Sequence, residues 1–417
     1  MPHTKSRRTL QGRAFLPGEA VLRDRLLALG LAVARAQRRR LGRTTLIGVT
    51  GSAGKTSTKE LVAAVLGAEL RGTKSPGNDN RLSRVGRTIL RTRPRDAFSV
   101  VEVAAWRPGS VAETAELLRP DVAVVTTIGS DHFSTFRSLE ATAAEKQALV
   151  DALPTTGTAV LNVDDPRVVA MADGFPGRVI TFGEASGATL RAGDVGSAWP
   201  APLSFTLRHD GRSLPVRTRL NGRYWTTSVL AALGVALAME LPPERALETV
   251  AAFEPVAGRM NAVRQDGLTF IRDDGKAPLW TVQPLLEFVT EARAPRKVLV
   301  IGSISDYNGT SSRVYRRVAR QALAVADEVV FVGPNAKYVA KLGSDRLRTF
   351  GTVRAATDYL QTTLREGDLV VLKGGQRADH LLRILLARTT TVRCWRTSCG
   401  RSIFCDDCRL LHVPGGP

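Results

Sequence analysis

The sequence predicts an α/β fold built on mainly parallel sheets, and two observations support this. Short β-branched runs bounded by turn residues alternate with helical patterns along the chain, and they read "TTLIGVT", "AFSVVEV", "DVAVVTTIG", "GTAVLNV", "RKVLVIG", "DEVVFVG" and "DLVVLKG". Nearly continuous apolar runs of this kind are typical of strands that are buried on both faces. Strands that alternate with helices predict parallel pairing, because each crossover between parallel strands needs a helix.

The strand-helix pattern comes in two blocks, which predict two domains. A central domain spans residues 44–257, and a Rossmann-like C-terminal α/β domain spans residues 258–390. The turn-rich, charged stretch "PVAGRMNAVRQDGLTFIRDDGKAP" lies where the blocks meet and is a candidate hinge. Residues 1–43 form a basic segment that we expect to be helical, and residues 391–417 form a small Cys-rich tail.

The composition excludes some classes of partner. The chain has 417 residues, 6% of them aromatic, and a formal net charge of +20, which suits nucleic acids, anionic membranes or acidic substrates. The arginines are spread along the chain, with Arg38–Arg40 as the one tight run, and they are not interleaved with aromatic residues. Single-strand binders need stacking aromatics in a basic groove. We therefore expect no specific nucleic acid. The basic surface fits acidic substrates, which net charge alone does not show.

One N-terminal stretch could be mistaken for a targeting signal. It is "RLLALGLAVARAQRRR", Arg25–Arg40, and its apolar core of about nine residues is shorter than the roughly 20 that span a bilayer. Asp24 precedes it and arginines follow it, which is unsuitable for export. We expect a helix packed on the following domain, no membrane span and a cytoplasmic protein.

A phosphate-binding loop (P-loop) is predicted in "GVTGSAGKTSTKE", Gly48–Glu60, between a strand pattern and an amphipathic helical pattern. A glycine-rich turn at that place directs backbone N–H groups and a helix N-terminus at a phosphate. Lys55 can then pair with the β- and γ-phosphates, and Thr56 can offer its hydroxyl to Mg²⁺. The usual spacing needs a glycine at position 49, which is Val49 here, so a chance glycine-rich turn is the alternative.

The loop spacing resembles that of the Mur ligases, which have Thr-Gly-x-x-Gly-Lys-Thr/Ser with an apolar residue where Val49 stands. These enzymes make the amide bonds of the peptidoglycan stem peptide, and the likeness is greatest to the member that adds D-alanyl-D-alanine. The likeness covers roughly residues 44–390. It implies ATP as cofactor, Lys55 as a catalytic residue, and a nucleotide-binding loop made of Gly51, Ser52, Ala53, Gly54, Lys55, Thr56 and Ser57.

Two further segments resemble the magnesium-binding parts of this family. Glu102 ends the run "FSVVE", where a parallel strand delivers a side chain to the crevice at its carboxyl end. "TTIGSDHFSTF" and the helical pattern after it place His132 and Lys146 where the family has a histidine and a carbamylated lysine. The resemblance implies that Thr56, Glu102, His132 and Lys146 hold Mg²⁺, and that His132 and Lys146 are catalytic. The alternatives are a surface glutamate and a solvated helix lysine.

Three more segments resemble the family's contacts to the nucleotide. "SPGNDN" resembles its Gly-Asn-x-Asn, which puts Asn78 and Asn80 near the phosphates or the acyl substrate, although a turn explains this segment equally well. "PVAGR" resembles the segment whose arginine, here Arg259, is catalytic and contacts the γ-phosphate when the C-terminal domain closes. "FIRDDGKAPLW" resembles the family's ribose-binding segment, and this implies that Asp273, Asp274 and Lys276 contact the nucleotide.

Two departures from the family pattern bear on substrates. Tyr224, Trp225 and Ser228 replace the His, Asn and Asn of the family pattern, whose asparagines approach the adenine in relatives. The segment before the loop also lacks the pattern of the domain that holds a UDP-sugar in the most similar member. We therefore expect that UDP-N-acetylmuramoyl-tripeptide is not the substrate.

The Cys-rich tail contains all of the chain's cysteines, in the spacing C-x4-C-x5-C-x2-C. Four thiolates suit tetrahedral Zn²⁺. We expect a zinc-ribbon-like structural site, with His412 able to replace one sulfur, whose ligands are Cys394, Cys399, Cys405 and Cys408. Two disulfides or free thiols are the alternatives.

Together the motifs and the resemblance imply an ATP-dependent ligase. A carboxylate on one substrate would attack the γ-phosphate of ATP to give an acyl phosphate, and an amine on the second substrate would displace phosphate to leave an amide. The alternative is a catalytically divergent ATP-binding regulatory protein that uses a zinc tail to contact a partner. The altered "DDGKAPLW" and the replaced asparagines keep this alternative open.

Overall fold

Two mainly parallel sheets, each covered by helices on both faces, organise the chain. The computed structural model describes residues 17–78, 80–130, 133–397, 399–401 and 403–414. The strands of the first sheet are β1 (Thr45–Thr50), β2 (Gly72–Lys74), β3 (Phe98–Glu102), β4 (Val122–Val125), β5 (Thr158–Asn162), β6 (Arg178–Gly183), β7 (Leu190–Gly196), β8 (Ser204–His209) and β9 (Arg212–Arg217). Their spatial order is β2-β3-β1-β4-β5-β6-β7-β8-β9.

The first sheet is parallel from β2 to β7, and an antiparallel meander, β7-β8-β9, extends it at one edge. Its helices are α1 (Pro17–Arg40), α2 (Lys55–Gly67), α3 (Leu82–Arg91), α4 (Ser110–Leu118), α5 (Phe133–Phe136), α6 (Leu139–Asp151), α7 (Pro166–Val169), α8 (Trp225–Ala238) and α9 (Pro243–Ala252). β1 is central because β3 and β4 pair with it on either side, so the loop after β1 opens at the middle of the sheet.

The second sheet is smaller and has the order β10-β11-β15-β12-β13-β14. Its strands are β10 (Asn261–Gln265), β11 (Leu268–Asp273), β12 (Arg296–Ile301), β13 (Glu328–Val332), β14 (Leu347–Phe350) and β15 (Asp368–Lys373). Its helices are α10 (Val282–Glu291), α11 (Ser311–Val325), α12 (Val353–Thr363) and α13 (Leu382–Leu386). Only β10 and β11 pair in antiparallel fashion among the strands described in this sheet.

Each sheet has two cores because successive strand residues point to opposite faces. In β1, Ile47 and Val49 pack with α2 and α8, whereas Leu46 packs on the other face with α3, α4 and α6. In β12, Leu299 and Ile301 likewise pack with α10 and α11, and Val298 and Val300 face α12 and α13. The predicted α/β class with mainly parallel sheets is confirmed, and each of the seven predicted strand runs contains a strand.

The N-terminal helix α1 packs on the first sheet's helices as expected. Arg38 joins it to the end of α4, where its Nε donates to the Leu118 carbonyl at 2.7 Å and its Nη2 to the Arg119 carbonyl at 2.6 Å. These carbonyls belong to a helix C-terminus, which a cation stabilises. No helix among the residues that the structure describes is long and apolar enough to cross a membrane.

The Cys-rich tail packs against α13 and the second sheet and gives no support to the predicted zinc site. Cys394 and Cys405 are buried, and the Cys394 sulfur accepts a hydrogen bond from Arg383 at 3.7 Å. The Cys405 sulfur lies 3.6 Å from His380 Nδ1, and burial raises the pKa of the Cys405 thiol. Over the described ranges, no group of three or more His, Cys, Asp or Glu side chains could hold a metal ion, so Cys399 and Cys408 do not complete a site.

Candidate functional site

The carboxyl ends of strands from both sheets face one cavity of about 250 Å³. Parallel strands place their C-terminal loops at the same edge, where α/β proteins bind ligands. From the first sheet's side, the cavity is lined by the loop and helix start Ser52–Ser57, together with Glu102, Thr127, Asn162, Tyr224, Trp225, Thr227 and Ser228. From the second sheet's side, it is lined by Arg259, Asp273, Lys276, Pro278, Trp280, Thr281, Pro284 and Lys373.

The glycine-rich loop after β1 is held by the segment that follows β4. The Ser52 N–H donates to the Thr127 carbonyl at 2.7 Å, and the Thr126 hydroxyl donates to the Ala53 carbonyl at 2.6 Å. Gly51 has φ of 140°, and a Cβ there would overlap the Thr126 hydroxyl. Position 51 therefore requires glycine for two separate reasons, its backbone conformation and its neighbour.

Lys55 is the first residue of α2 and is buried at the loop. Its ammonium donates to the Gly51 carbonyl at 2.6 Å and to the Ser52 carbonyl at 3.4 Å. Gly54 is the N-cap of α2, with φ of 75°, and it carries no side chain to satisfy the N–H groups of the first turn. A helix start with a lysine and uncapped N–H groups attracts an anion. The predicted loop residues 52–57 line the cavity, and Gly51 shapes their path.

Replacing Gly51 by Ala is expected to destabilise the fold by about 2 kcal/mol or more, because backbone strain alone costs of the order of 1–3 kcal/mol. The matched control is Gly109→Ala, since Gly109 also has positive φ, 80°, but no atom lies within 4 Å of an added Cβ. Urea unfolding of both variants separates the strain from the clash with Thr126. Equal losses in the two variants would mean that the Thr126 contact does not matter.

The buried carboxylate of Glu102 is held at the end of β3 by two polar neighbours. The Thr56 hydroxyl donates to its Oε2 at 2.8 Å, and the Asn80 side-chain amide donates to its Oε1 at 2.9 Å. Glu102 is 2% exposed, and its own N–H donates to the Ser75 hydroxyl at 3.1 Å. Thr56, Asn80 and Glu102, which the sequence analysis singled out separately, are thus brought together by hydrogen bonds.

Lys59 is a residue that the sequence analysis did not single out. It is fully buried on α2, and its ammonium donates to the carbonyls of Ser75, at 2.7 Å, and Gly77. It therefore holds the turn that leads to Asn80. The signal was present in the sequence, because Lys59 lies four residues after Lys55 and so falls on the same side of the helix.

A buried ion pair forms the second sheet's side of the cavity. Asp273 and Lys373 are register partners at the carboxyl ends of β11 and β15, and the Lys373 ammonium lies 2.6 Å from Asp273 Oδ2. Lys373 also donates to the Lys276 carbonyl at 3.3 Å. Arg259 lies beside them in the cavity wall. Positive side chains thus face the P-loop across the cavity.

Other predicted site residues lie off the cavity wall or outside the described residues. Asp274 is buried behind the wall, where its carboxylate lies 3.4 Å from Arg272 Nε, and burial raises its pKa. Asn78 does not line the cavity, and Lys146 is fully buried on α6 without lining it. His132 lies outside the residues that the structure describes.

The residues that replace the family's adenine-binding pattern begin α8. Trp225 is 2% exposed and belongs to the core shared with α2, while one edge of it reaches the cavity. The Ser228 hydroxyl accepts a hydrogen bond from Thr58 at 3.0 Å and so joins α8 to the P-loop helix. Ser228 therefore contacts α2, and Trp225 is mainly a packing residue.

Comparison with protein families and curated proteins identifies relatives. Residues 49–236 match the Mur ligase middle domain, and residues 258–375 match the Mur ligase glutamate ligase domain. The UDP-N-acetylmuramoyl-tripeptide–D-alanyl-D-alanine ligase of Mycobacterium tuberculosis is 31% identical over 84% of this chain and 74% of its own length. The enzyme of that name from Escherichia coli is 27% identical over 76% of this chain and 70% of its own length.

Solved structures share the fold. The MurF ligase of Thermotoga maritima in complex with ADP superposes with a TM-score of 0.76, at 24% identity, over 91% of this chain and 86% of that one. MurF from Acinetobacter baumannii superposes with a TM-score of 0.78, at 22% identity, over 87% of this chain and 80% of that one.

These relatives give no support to a regulatory protein, because each is named as a ligase. The resemblance inferred from the loop, the Glu102 strand and the Arg259 segment is confirmed along both matched regions. The chain belongs to the Mur ligase family of ATP-dependent amide ligases.

Proposed function

We propose that this chain joins a carboxylate substrate to an amine substrate in the cavity between its sheets, with ATP converted to ADP and phosphate. The observation that carries the proposal is the arrangement of charge around that cavity. Lys55 and the start of α2 line one side, Arg259 and Lys276 line the other, and the carboxylate of Glu102 lies beside the loop. Phosphoryl transfer depends on positioning and on neutralising charge, and this wall supplies both.

The residues around Glu102 fit Mg²⁺. Its carboxylate and the Thr56 hydroxyl are hard oxygen donors already within 2.8 Å of each other, beside the loop that would hold the phosphates. Bound there, Mg²⁺ would neutralise charge on the phosphate oxygens during transfer. His132 and Lys146, the latter as a carbamate, stay our proposed further ligands. Asn80 would orient the Glu102 carboxylate through its hydrogen bond.

The reaction we propose has two steps. A carboxylate oxygen of the acid attacks the γ-phosphate, the bond to ADP breaks, and an acyl phosphate forms. The amine nitrogen then attacks the acyl carbon, phosphate leaves, and the nitrogen loses a proton as the amide forms. Lys55 would neutralise the β- and γ-phosphates from the first sheet's side, and Arg259 the γ-phosphate from the second sheet's side.

We infer that the ribose of the nucleotide lies on the second sheet's side of the cavity. Asp273 lies on the side of the cavity where the family resemblance implies a ribose contact, although its carboxylate also holds Lys373. Lys276 stays a proposed phosphate or substrate contact, and the cations of the wall support acidic substrates. For Asn78 and Asp274 we propose no direct contact with the nucleotide, because neither lines the cavity; they would stabilise the residues that do.

The test is release of phosphate from ATP and Mg²⁺ with two sets of substrates. One arm adds UDP-N-acetylmuramoyl-tripeptide and D-alanyl-D-alanine, the substrates in the relatives' names. The other arm adds pooled carboxylates and pooled amines. Orthophosphate release that needs both an acid and an amine is the expected result, and the arm that supports it identifies the substrate class.

Release of pyrophosphate instead of orthophosphate would contradict an acyl phosphate. Tight ATP binding without release in either arm would contradict ligation itself. The control is the Lys55→Ala variant, in which release must disappear if the measured turnover belongs to this cavity.

A further inference from the structure

The Cys-rich tail reaches the back of the cavity wall through two residues. The Phe404 ring lies against Gly258, where an added Cβ would be 2.5 Å from its Cζ. The Arg272 guanidinium lies over the same ring, 4.9 Å from its centroid. The Asp406 carboxylate lies 3.4 Å from Arg272 Nη1. One short stretch of the tail thus contacts both the Gly258 turn and the end of β11.

Arg272 is a buried cation whose charge is balanced by two carboxylates. Its side chain is 5% exposed, and its Nε lies 3.4 Å from Asp274 Oδ1. A buried charge is costly unless it is paired, so both carboxylates restrict where Arg272 can lie. Asp274 directly follows β11, whereas Asp406 comes from the tail. The tail therefore supplies part of the charge balance behind the site.

The Gly258 turn, which carries Arg259, is hydrogen-bonded to the loop after β11, which carries Lys276. The Gly275 N–H donates to the Gly258 carbonyl at 3.2 Å. An added Cβ on Gly275 would overlap the Arg259 guanidinium, so the Arg259 side chain packs directly against that loop. Asp274 Oδ1 also lies against Gly258, 3.2 Å from the position of an added Cβ. A shift of Phe404 or Arg272 would therefore move the backbone on which Arg259 rests.

We propose that Phe404 and Asp406 are positioning residues, which hold Arg259 in reach of the γ-phosphate by fixing Arg272 and the Gly258 turn. This inference rests on the proposed contact between Arg259 and the γ-phosphate. Neither Phe404 nor Asp406 lines the cavity, so neither is a catalytic residue. Displacing a binding group by about 1 Å can cost 10²-fold in rate. In this proposal the tail determines the position of a catalytic side chain.

The experiment measures binding of two nucleotides to the full chain with Mg²⁺, namely ADP and the non-hydrolysable analogue β,γ-imido-ATP. Only the analogue carries a γ-phosphate. Phe404→Ala and Asp406→Asn are each expected to weaken analogue binding about tenfold, which corresponds to one misplaced charge-assisted hydrogen bond. ADP binding is expected to change less than about twofold in both variants, because the P-loop is untouched.

Matched variants separate positioning from general damage. Asp407→Asn removes the same charge from the exposed neighbouring residue and should leave both nucleotides bound as in the wild type. Asp406→Glu keeps the carboxylate and should restore analogue binding. In an Arg259→Ala background, Phe404→Ala should cause no further loss, because the group through which it acts is gone. Thermal melting of each variant shows that the chain is folded.

Each outcome decides between the two proposals. If Arg259→Ala weakens analogue binding but the tail variants do not, the tail's positioning role is wrong and the Arg259 contact stands. If Arg259→Ala leaves analogue binding unchanged, the γ-phosphate contact in the proposed function is wrong. The inference is overturned if Phe404→Ala weakens the binding of ADP and of the analogue equally. It is also overturned if Phe404→Ala weakens analogue binding as strongly in the Arg259→Ala background as in the wild type. In either case the tail has only a structural role.

Discussion

Lys55→Ala is expected to lower the kcat of ATP-dependent ligation by about 10²–10³-fold, as the removal of one preorganised charge-stabilising group does in other sites. Its ammonium is buried at the start of α2 and already points into the loop, where it lies 2.6 Å from the Gly51 carbonyl. No rearrangement of the helix is needed for it to meet a phosphate. The measurement is the rate of orthophosphate release at saturating substrates.

The fold of the Lys55→Ala variant is expected to persist. Lys55 donates to two loop carbonyls, and such bonds contribute about 1 kcal/mol each. The control is Lys341→Ala, which removes an exposed lysine that does not line the cavity and should leave kcat unchanged. A Lys55→Ala variant that melts like the wild type and keeps its rate would remove the P-loop from the mechanism.

The strands that carry the site could be predicted because their sequence pattern has one physical cause. A strand buried on both faces must be apolar at nearly every position, as in "FSVVE" and "DLVVLK", so its polar end residue stands out. Glu102 and Lys373 are such end residues, and the structure has them at the cavity. The pairing of Lys373 with Asp273 followed from strand order, which no local pattern contains.

The antiparallel edge of the first sheet was missed for the opposite reason. β8 and β9 are half exposed, so their apolar residues alternate with polar ones and do not form a run. The two residues between them, Asp210 and Gly211, both have positive φ, as a two-residue hairpin requires. An Asp-Gly pair between two alternating segments would have predicted this hairpin.

The tail shows why spacing alone is weak ground for a metal prediction. Four cysteines at ribbon-like intervals suggest a closed metal site, but the packing of each cysteine depends on what it meets in the fold. Here Cys405 meets the apolar face behind β15, where it joins Leu411 and Leu382 in a core cluster. That surface is formed by residues far from the tail in sequence, so no local pattern reports it.

Lys373→Met is expected to lower the free energy of unfolding by about 3 kcal/mol, because it leaves the Asp273 carboxylate buried without its cation. Lys373 is 2% exposed and its ammonium lies 2.6 Å from Asp273 Oδ2. Asp273→Leu alone should cost a similar amount, since it leaves a buried ammonium. Urea unfolding followed by tryptophan fluorescence measures both losses.

The double variant Asp273→Leu with Lys373→Met separates the contribution of this ion pair to stability from its contribution to nucleotide binding and turnover. Replacing a whole buried ion pair by apolar residues is often neutral for stability, so most of the lost free energy of unfolding should return. Nucleotide binding and phosphate release should not return, because the cavity would have lost one charged group from each of two strand ends that face the P-loop. If the double variant binds ATP and turns it over like the wild type, the Asp273–Lys373 pair only supports the sheet. In that case Lys373 adds no cation to the proposed mechanism beyond Lys55, Arg259 and Lys276.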